Sequence, residues 1–160
     1  MRVNNNTRLN NMRMDLCKKQ TLCINRVSKT TPGGRRQSFS SVVAVSSGRH
    51  WLGVGVGKAK ELIDSIKKAE RNAEKAMFQI PCRKNTITHD VNMKFGATKI
   101  ILKGVKNEGA GIMAGGTART LLQLAEIDNV VCKIIGSTNV YTVSYALVGC
   151  LLYTSDAADD

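Results

Sequence analysis

Aromatic side chains make up only 4% of this 160-residue chain. That is thin for a protein that reads single strands by stacking bases on Phe, Tyr or Trp, and it leaves recognition through phosphate and sugar as the better fit for any nucleic-acid partner. No apolar run approaches the roughly 20 residues needed to cross a bilayer, so membrane insertion is not expected. The five cysteines, at 17, 23, 82, 132 and 150, form no C-x-x-C pair. His50 and His89 lie near no cysteine except Cys82, so no zinc ligand set is present and no metal is expected. The cysteines read as small apolar side chains in a reducing compartment. There is no acidic pair and no nucleophile with a base, so neither catalysis nor a small-molecule substrate is expected.

Acids are scarce as well: twelve stand against twenty-four Lys and Arg, a formal charge of +12. The imbalance is steepest at the front, where residues 1–36 carry nine bases and one acid. Such a chain favours a polyanion, nucleic acid first and an acidic membrane surface second. A hydrophobic fraction of 42% supports a modest core, either one domain or two small ones sharing an interface.

The opening stretch MRVNNNTRLNN is polar and acid-free, which fits a flexible basic tail or, more faintly, an organellar presequence. From Leu22 the pattern predicts two strands, LCINRVSK and RRQSFSSVVAVSS, joined by the turn TPGG. Arg26, Lys29, Arg35 and Arg36 crowd this loop; it is either a solvated tip or a place where an anion offsets their repulsion. Downstream, Gly53, Gly55 and Gly57 alternate with Val54 and Val56, which puts all three on one strand face with backbone open to a close partner. A helix follows from Gly57-Lys58, with Leu62, Ile66, Ala69, Ala73 and Met77 as its buried stripe and Lys60, Lys67, Arg71 and Lys75 on another face. The string GVGVGKAK is no Walker loop, since Ala59 stands where the magnesium-binding hydroxyl is required, and its G-x-G-x-G spacing is no dinucleotide fingerprint.

A linker is expected at 81–90. The second half then predicts a strand (KFGATKIILKG), a glycine loop, a helix (GTARTLLQLAEI), a strand (NVVCKIIG) and a short helix starting in STNV. The loop EGAGIMAGG (108–116) holds four glycines directly before a helix, where missing Cβ atoms and unpaired N–H groups suit an anion. A tight turn packing helix on strand is the alternative. Ser137, Thr138 and Asn139 supply N-cap candidates that can also face a partner.

Four of these segments, NRVSKTTPGGRRQSF (25–39), GRHWLGVGVGKAKE (48–61), EGAGIMAGG and GSTN (136–139), together resemble the bacterial-type S-five family of small-subunit ribosomal proteins. Their order and spacing agree across about residues 22–149. The resemblance implies an α+β fold, with a double-stranded-RNA-binding-like domain at 22–80 and a C-terminal β-α-β ribosomal domain at 91–149. It implies a structural, non-enzymatic constituent of the small ribosomal subunit that supports assembly and decoding accuracy, with small-subunit ribosomal RNA and neighbouring proteins four and eight as partners and no cofactor. The RNA-binding residues it implies are Arg26, Lys29, Gly33, Gly34, Arg35 and Arg36 in the hairpin, and Arg49, Lys58 and Lys60 near the glycine strand. In the second half they are Gly109 and Gly111 in the loop, and Ser137, Thr138 and Asn139. The location it implies is the ribosome of a bacterial cytoplasm or an organelle (mitochondrial matrix or plastid stroma). Abundant Lys and Asn point to an AT-rich genome. A free double-stranded-RNA-binding regulator using only the first domain, and a phosphate-handling enzyme built on the glycine loops, are the competing readings.

The sequence departs from the family pattern in places: Ser46-Ser47 replaces a common Gly-Asp turn, Trp51 replaces a smaller or basic residue, and Val140 replaces a frequent proline after GSTN. The last eleven residues, CLLYTSDAADD (150–160), abandon the basic character and read like the in-frame translation of a sequencing adaptor, with a native acidic tail as the alternative. Setting them outside the fold raises the net charge from +12 to +15.

Overall fold

The computed structural model describes residues 17–83, 85–106 and 109–158. Most of the expected flexible N-terminal segment, together with Glu108, lies outside the described residues. The first half is a four-stranded antiparallel sheet, β1 (Lys18–Thr31), β2 (Gly34–Ser46), β3 (Trp51–Ala59) and β4 (Phe78–Gln79), in that spatial order, with helix α1 (Leu62–Lys75) between β3 and β4. Strand β1 starts at Lys18, ahead of the expected boundary at residue 22. It pairs from Lys18↔Ser46, and Lys18 and Lys19 are ion-paired to Glu126 and Glu70.

Both faces of this sheet are covered, which explains why VVAV in β2 is a continuous apolar run and why burial is unbroken from Ser40 to Ser46. Val43 and Val45 point to α1, where they cluster with Ala69 and Ala73, while Val42 and Ala44 join Leu52 and Val54 in the core shared with the second half. On β3, Gly53, Gly55 and Gly57 sit opposite Val45, Val43 and Ser41, so they share the face that meets α1. A Cβ on Gly55 would lie 2.3 Å from the Ala69 carbonyl oxygen and the Ala73 nitrogen, and one on Gly57 would lie 2.1 Å from the Ser65 carbonyl oxygen. The close partner of this glycine face is therefore the chain's own helix, not an external ligand. The helix matches it with a stripe of small residues, Ser65, Ala69 and Ala73. Ser65 Oγ donates to the Leu62 carbonyl (2.7 Å), and Asn72 Nδ2 donates across to the Val56 carbonyl of β3 (2.8 Å). Leu62, expected in the buried stripe, is 39% exposed. It sits in the first turn, away from the point where the glycines let the helix axis come closest. Lys58 belongs to β3 rather than to the helix.

The segment expected as a linker carries a small hairpin, β5 (Cys82–Arg83) with β6 (Thr86–Ile87), with Ile87 buried in β6 and Ile80 buried just ahead of β5. The second sheet has the order β7 (Val91–Phe95), β8 (Thr98–Gly104), β10 (Val130–Gly136), β9 (Ile112–Met113). What was expected as the single strand KFGATKIILKG lies across a tight hairpin, because Gly96, at φ +57°, turns the chain between the paired residues Phe95 and Thr98. Strand β9, helix α2 (Gly116–Leu124) and β10 form the β-α-β unit, with β9 and β10 parallel.

Helix α3 (Val140–Ala158) is longer than the short helix expected. Its stripe Val143, Ala146, Leu147, Cys150, Leu151 keeps helical spacing, and Cys150 and Leu151 are fully buried. Residues 150 and 151, which were set outside the fold, thus complete its core. Helix α2 touches β1 and β2, and α3 touches β3, β7 and β8. The two helices fill the space between the sheets, and one buried cluster runs from Val42 and Leu52 to Leu147 and Leu151.

The glycine face predicts a sharp contrast. Gly55→Ala is expected to destabilise the fold by about 3 kcal/mol, because overpacking against backbone cannot relax. Gly33→Ala, with no atom within 4 Å of its Cβ position, is expected to be neutral or slightly stabilising. Urea denaturation of the two variants checks both.

Candidate nucleic-acid interface

The β1–β2 hairpin closes tightly at Pro32-Gly33, with Thr31 paired to Gly34 (φ +123°) and the Thr31 hydroxyl donating to the Gly34 carbonyl at 2.7 Å. Strand β3 joins β2 only from Phe39↔Ala59 onward. Gly34 to Ser38 and their partners therefore project beyond the sheet, about 17 Å at ~3.4 Å per residue. Lys29, Gly33, Gly34, Arg35 and Arg36 are all exposed on this arm, and Arg26, paired with Phe39, is exposed at its root. Lys29 stands directly opposite Arg36 and Thr30 opposite Arg35, so the arm is basic on both faces. Like charges directly opposed on a strand pair are destabilising. Among the described residues no acid is ion-paired to any of these bases, although Arg26 Nη2 donates to Gln37 Oε1.

At the base of the arm two distant segments meet. Ser40, paired with Lys58 across β2–β3, shares a 2.6 Å hydroxyl–hydroxyl hydrogen bond with Tyr141. Tyr141 is the second residue of α3, and its N–H donates to Asn139 Oδ1 at 3.1 Å, which makes Asn139 the N-cap. Ser137 Oγ accepts from the Asn139 N–H at 3.3 Å. Two of the three expected residues in this segment are thus occupied by capping, while Thr138 is left exposed. Exposed Lys58 and Lys60 and the 137–139 corner lie around the root of the arm. Ser40 and Tyr141 were not among the expected site residues. They are 101 residues apart, and nothing in either local pattern announces the pairing.

Arg49 is placed elsewhere. Its Nε lies 3.5 Å from Glu126 Oε2, beside the 2.8 Å contact from Lys18 Nζ to the other oxygen. The hydrogen bond from Lys18 holds the Glu126 carboxyl below its ordinary pKa, with smaller help from the charges of Lys18, Arg49 and His50. The glycine loop is divided. Gly109 (φ +90°) and Gly111 (φ +74°) are exposed, with nothing within 4 Å of their Cβ positions. The Gly111 carbonyl accepts from Val130 N–H at the start of β10, so this end lies a strand's length, about 20 Å, from Gly136. Gly115 and Gly116 instead line a cavity of about 300 Å³ with Cys132, Lys133 and Thr138. Gly115 caps α2 without a side-chain hydrogen bond, so the first-turn N–H groups have no side-chain acceptor at that cap.

All five cysteines are free thiols. Burial pushes Cys82 and Cys132 up to about 11 and Cys150 up to about 12, so these three stay protonated and behave as apolar side chains.

Models of the family "Ribosomal protein S5" match the chain twice: the N-terminal domain at residues 17–81 and the C-terminal domain at 93–160. The chain belongs to the ribosomal protein S5 family. Among S5 relatives, small ribosomal subunit protein uS5c of Trieres chinensis is 44% identical over 126 residues, covering 78% of this chain and 68% of its own length. Small ribosomal subunit protein uS5 of Syntrophobacter fumaroxidans is 41% identical over 120 residues (75% and 72%), and that of Campylobacter jejuni is 41% identical over 128 (80% and 86%). The S5 N-terminal match covers the hairpin and the glycine strand, and the C-terminal match covers the divided glycine loop and the capped corner.

Because Glu126 is held low in the fold, its contribution to stability is complete above the unfolded-state pKa and is lost as pH falls through the lowered folded value. Lys18→Met is expected to move the Glu126 titration back up toward that of an ordinary glutamate, read by carboxyl NMR. A separate variant, Asn139→Ala, is expected to cost about 1 kcal/mol of unfolding free energy by removing the α3 cap.

Proposed function

We propose that this protein is a structural, non-enzymatic constituent of the small ribosomal subunit, in a bacterial cytoplasm or an organelle. It binds small-subunit ribosomal RNA chiefly through the projecting hairpin. The observation that carries this reading is the arm itself: three bases on an extension about five residues long, Lys29 and Arg36 directly opposed, with Arg26 at its root and no acid paired to any of the four among the described residues. An RNA backbone supplies the missing anion, and each phosphate contacted releases condensed counterions. Lys58, Lys60 and Thr138 extend the contact at the arm's root, while Gly33 and Gly34 keep its tip free of side chains.

Gly109 and Gly111, exposed and side-chain-free at the far end of β10, offer bare backbone to RNA and to neighbouring proteins, in this reading proteins four and eight of the same subunit. Arg49 divides its role, bracing Glu126 while its largely exposed side chain reaches solvent or RNA. The protein thereby braces folded RNA, supporting subunit assembly and decoding accuracy. A regulator working through the first half alone is not favoured, because both halves match the family and share one core.

Arg35→Glu combined with Arg36→Glu is expected to leave the circular dichroism spectrum and thermal unfolding unchanged, while weakening RNA binding and incorporation into small subunits on sucrose gradients. Binding to RNA is expected to fall with salt with a slope of about −0.7 to −0.9 per phosphate contacted. Unchanged incorporation of the double variant overturns the assignment of the arm.

A further inference from the structure

The second sheet has one covered face and one open face. Ile100, Leu102, Val130 and Cys132 are buried under α2 and α3, and the alternate residues point the other way. The register sorts that outer face into three cross-strand rows. Lys103, Val131 and Met113 form one row; Asn92, Ile101 and Lys133 the next; Lys94, Lys99 and Ile135 the third. Every row holds a lysine, all four lysines are exposed, and no acid belongs to any row. Asp90, at the margin, accepts the Gly104 N–H at 3.1 Å. The ion pairs among the described residues involve Lys18, Lys19 and Arg49, none of them on this face.

Four ammonium groups in this arrangement repel one another. Lys94 and Lys99 are direct cross-strand partners, a pairing that costs stability between like charges. The whole set spans about 10 Å across three strands and about 13 Å along β8, comparable with the ~10 Å screening length at 0.1 M salt. We propose that this outer face of the second sheet, centred on Lys94, Lys99, Lys103 and Lys133, is a second RNA-binding surface that lies along a phosphate backbone. It rests on the ribosomal reading but not on the hairpin.

The composition favours RNA over an acidic protein. Protein interfaces are depleted in lysine and enriched in aromatics and arginine, whereas this face has four lysines, no aromatic and no arginine. Its apolar members, Met113 at 64% and Ile135 at 45% exposure, lie between the lysines. There the aliphatic lysine stems can cover them while the charged heads stay forward.

The test uses the full chain and purified small-subunit ribosomal RNA of Campylobacter jejuni. The variant K94Q/K99Q/K103Q/K133Q is expected to fold normally and to lower the slope of log K against log salt by about 3, the sum for four phosphate contacts at 0.7–0.9 each. Lysine acetylation footprinting of the unmodified chain gives an independent reading, with RNA expected to protect these four amines. An unchanged slope, or four amines as reactive in the complex as in the free chain, overturns the proposal. So does a variant that binds RNA normally yet drops out of small subunits, since the face then meets protein. Protection of Lys29 on the arm without protection of this face leaves the hairpin assignment standing, and protection of neither removes both.

Discussion

The fold depends on how closely β3 and α1 approach. Gly53, Gly55 and Gly57 clear the side chains from the middle of one face of the strand, and Ser65, Ala69 and Ala73 present a stripe of small residues from the helix. Backbone then packs almost directly on backbone, with Asn72 fastened to the Val56 carbonyl. This contact is not strong because it buries large side chains; it is tight because nothing intervenes, and close packing leaves no room for an added methyl. It fixes α1 on one side of the first sheet and so leaves the other side, Val42, Ala44, Leu52 and Val54, free to seat the second half.

That shared core gives the protein its functional geometry. The two halves share one buried cluster. The segment between them forms a hairpin whose Asn85 carbonyl accepts from Asp128 and Asn129, and His50 bonds to the Ala125 carbonyl. The Ser40–Tyr141 hydrogen bond brings the cap of α3 to the root of the basic arm. A surface built from both halves keeps its shape because the apolar cluster beneath it is continuous.

Three acids make the ion pairs found among the described residues. Glu70 and Glu74 hold Lys19 on β1, and Glu126 holds Lys18 and Arg49 where the two halves meet. Exposed pairs of this kind are each worth no more than about 1 kcal/mol, so their larger effect lies in where charge is left over. None of these pairs reaches the hairpin or the outer face of the second sheet, and both stay unneutralised among the described residues. Both are extended arrays, suited to a linear polyanion more than to a point ligand.

Local chemistry by itself determined the β1–β2 hairpin, the turn at Pro32-Gly33, the common face of the β3 glycines, the α2 helix and the capping segment ahead of α3. Each rests on φ preferences, period-2 or 3.6 spacing, or a side-chain cap acting over a few residues. Only tertiary structure decided what those features face. The alternation of glycines was legible, yet that their partner is α1 depends on the chain folding back on itself. The turn at Gly96 and the burial of Cys150 and Leu151 were missed because a glycine inside an apolar run, and apolar residues in a segment of discordant composition, gain meaning only from what packs on them. The lysine rows are the clearest case. Lys99 and Lys103 share a face by spacing alone, but Lys94 and Lys133 join them only through strand register, and register is set by long-range pairing that no single segment encodes.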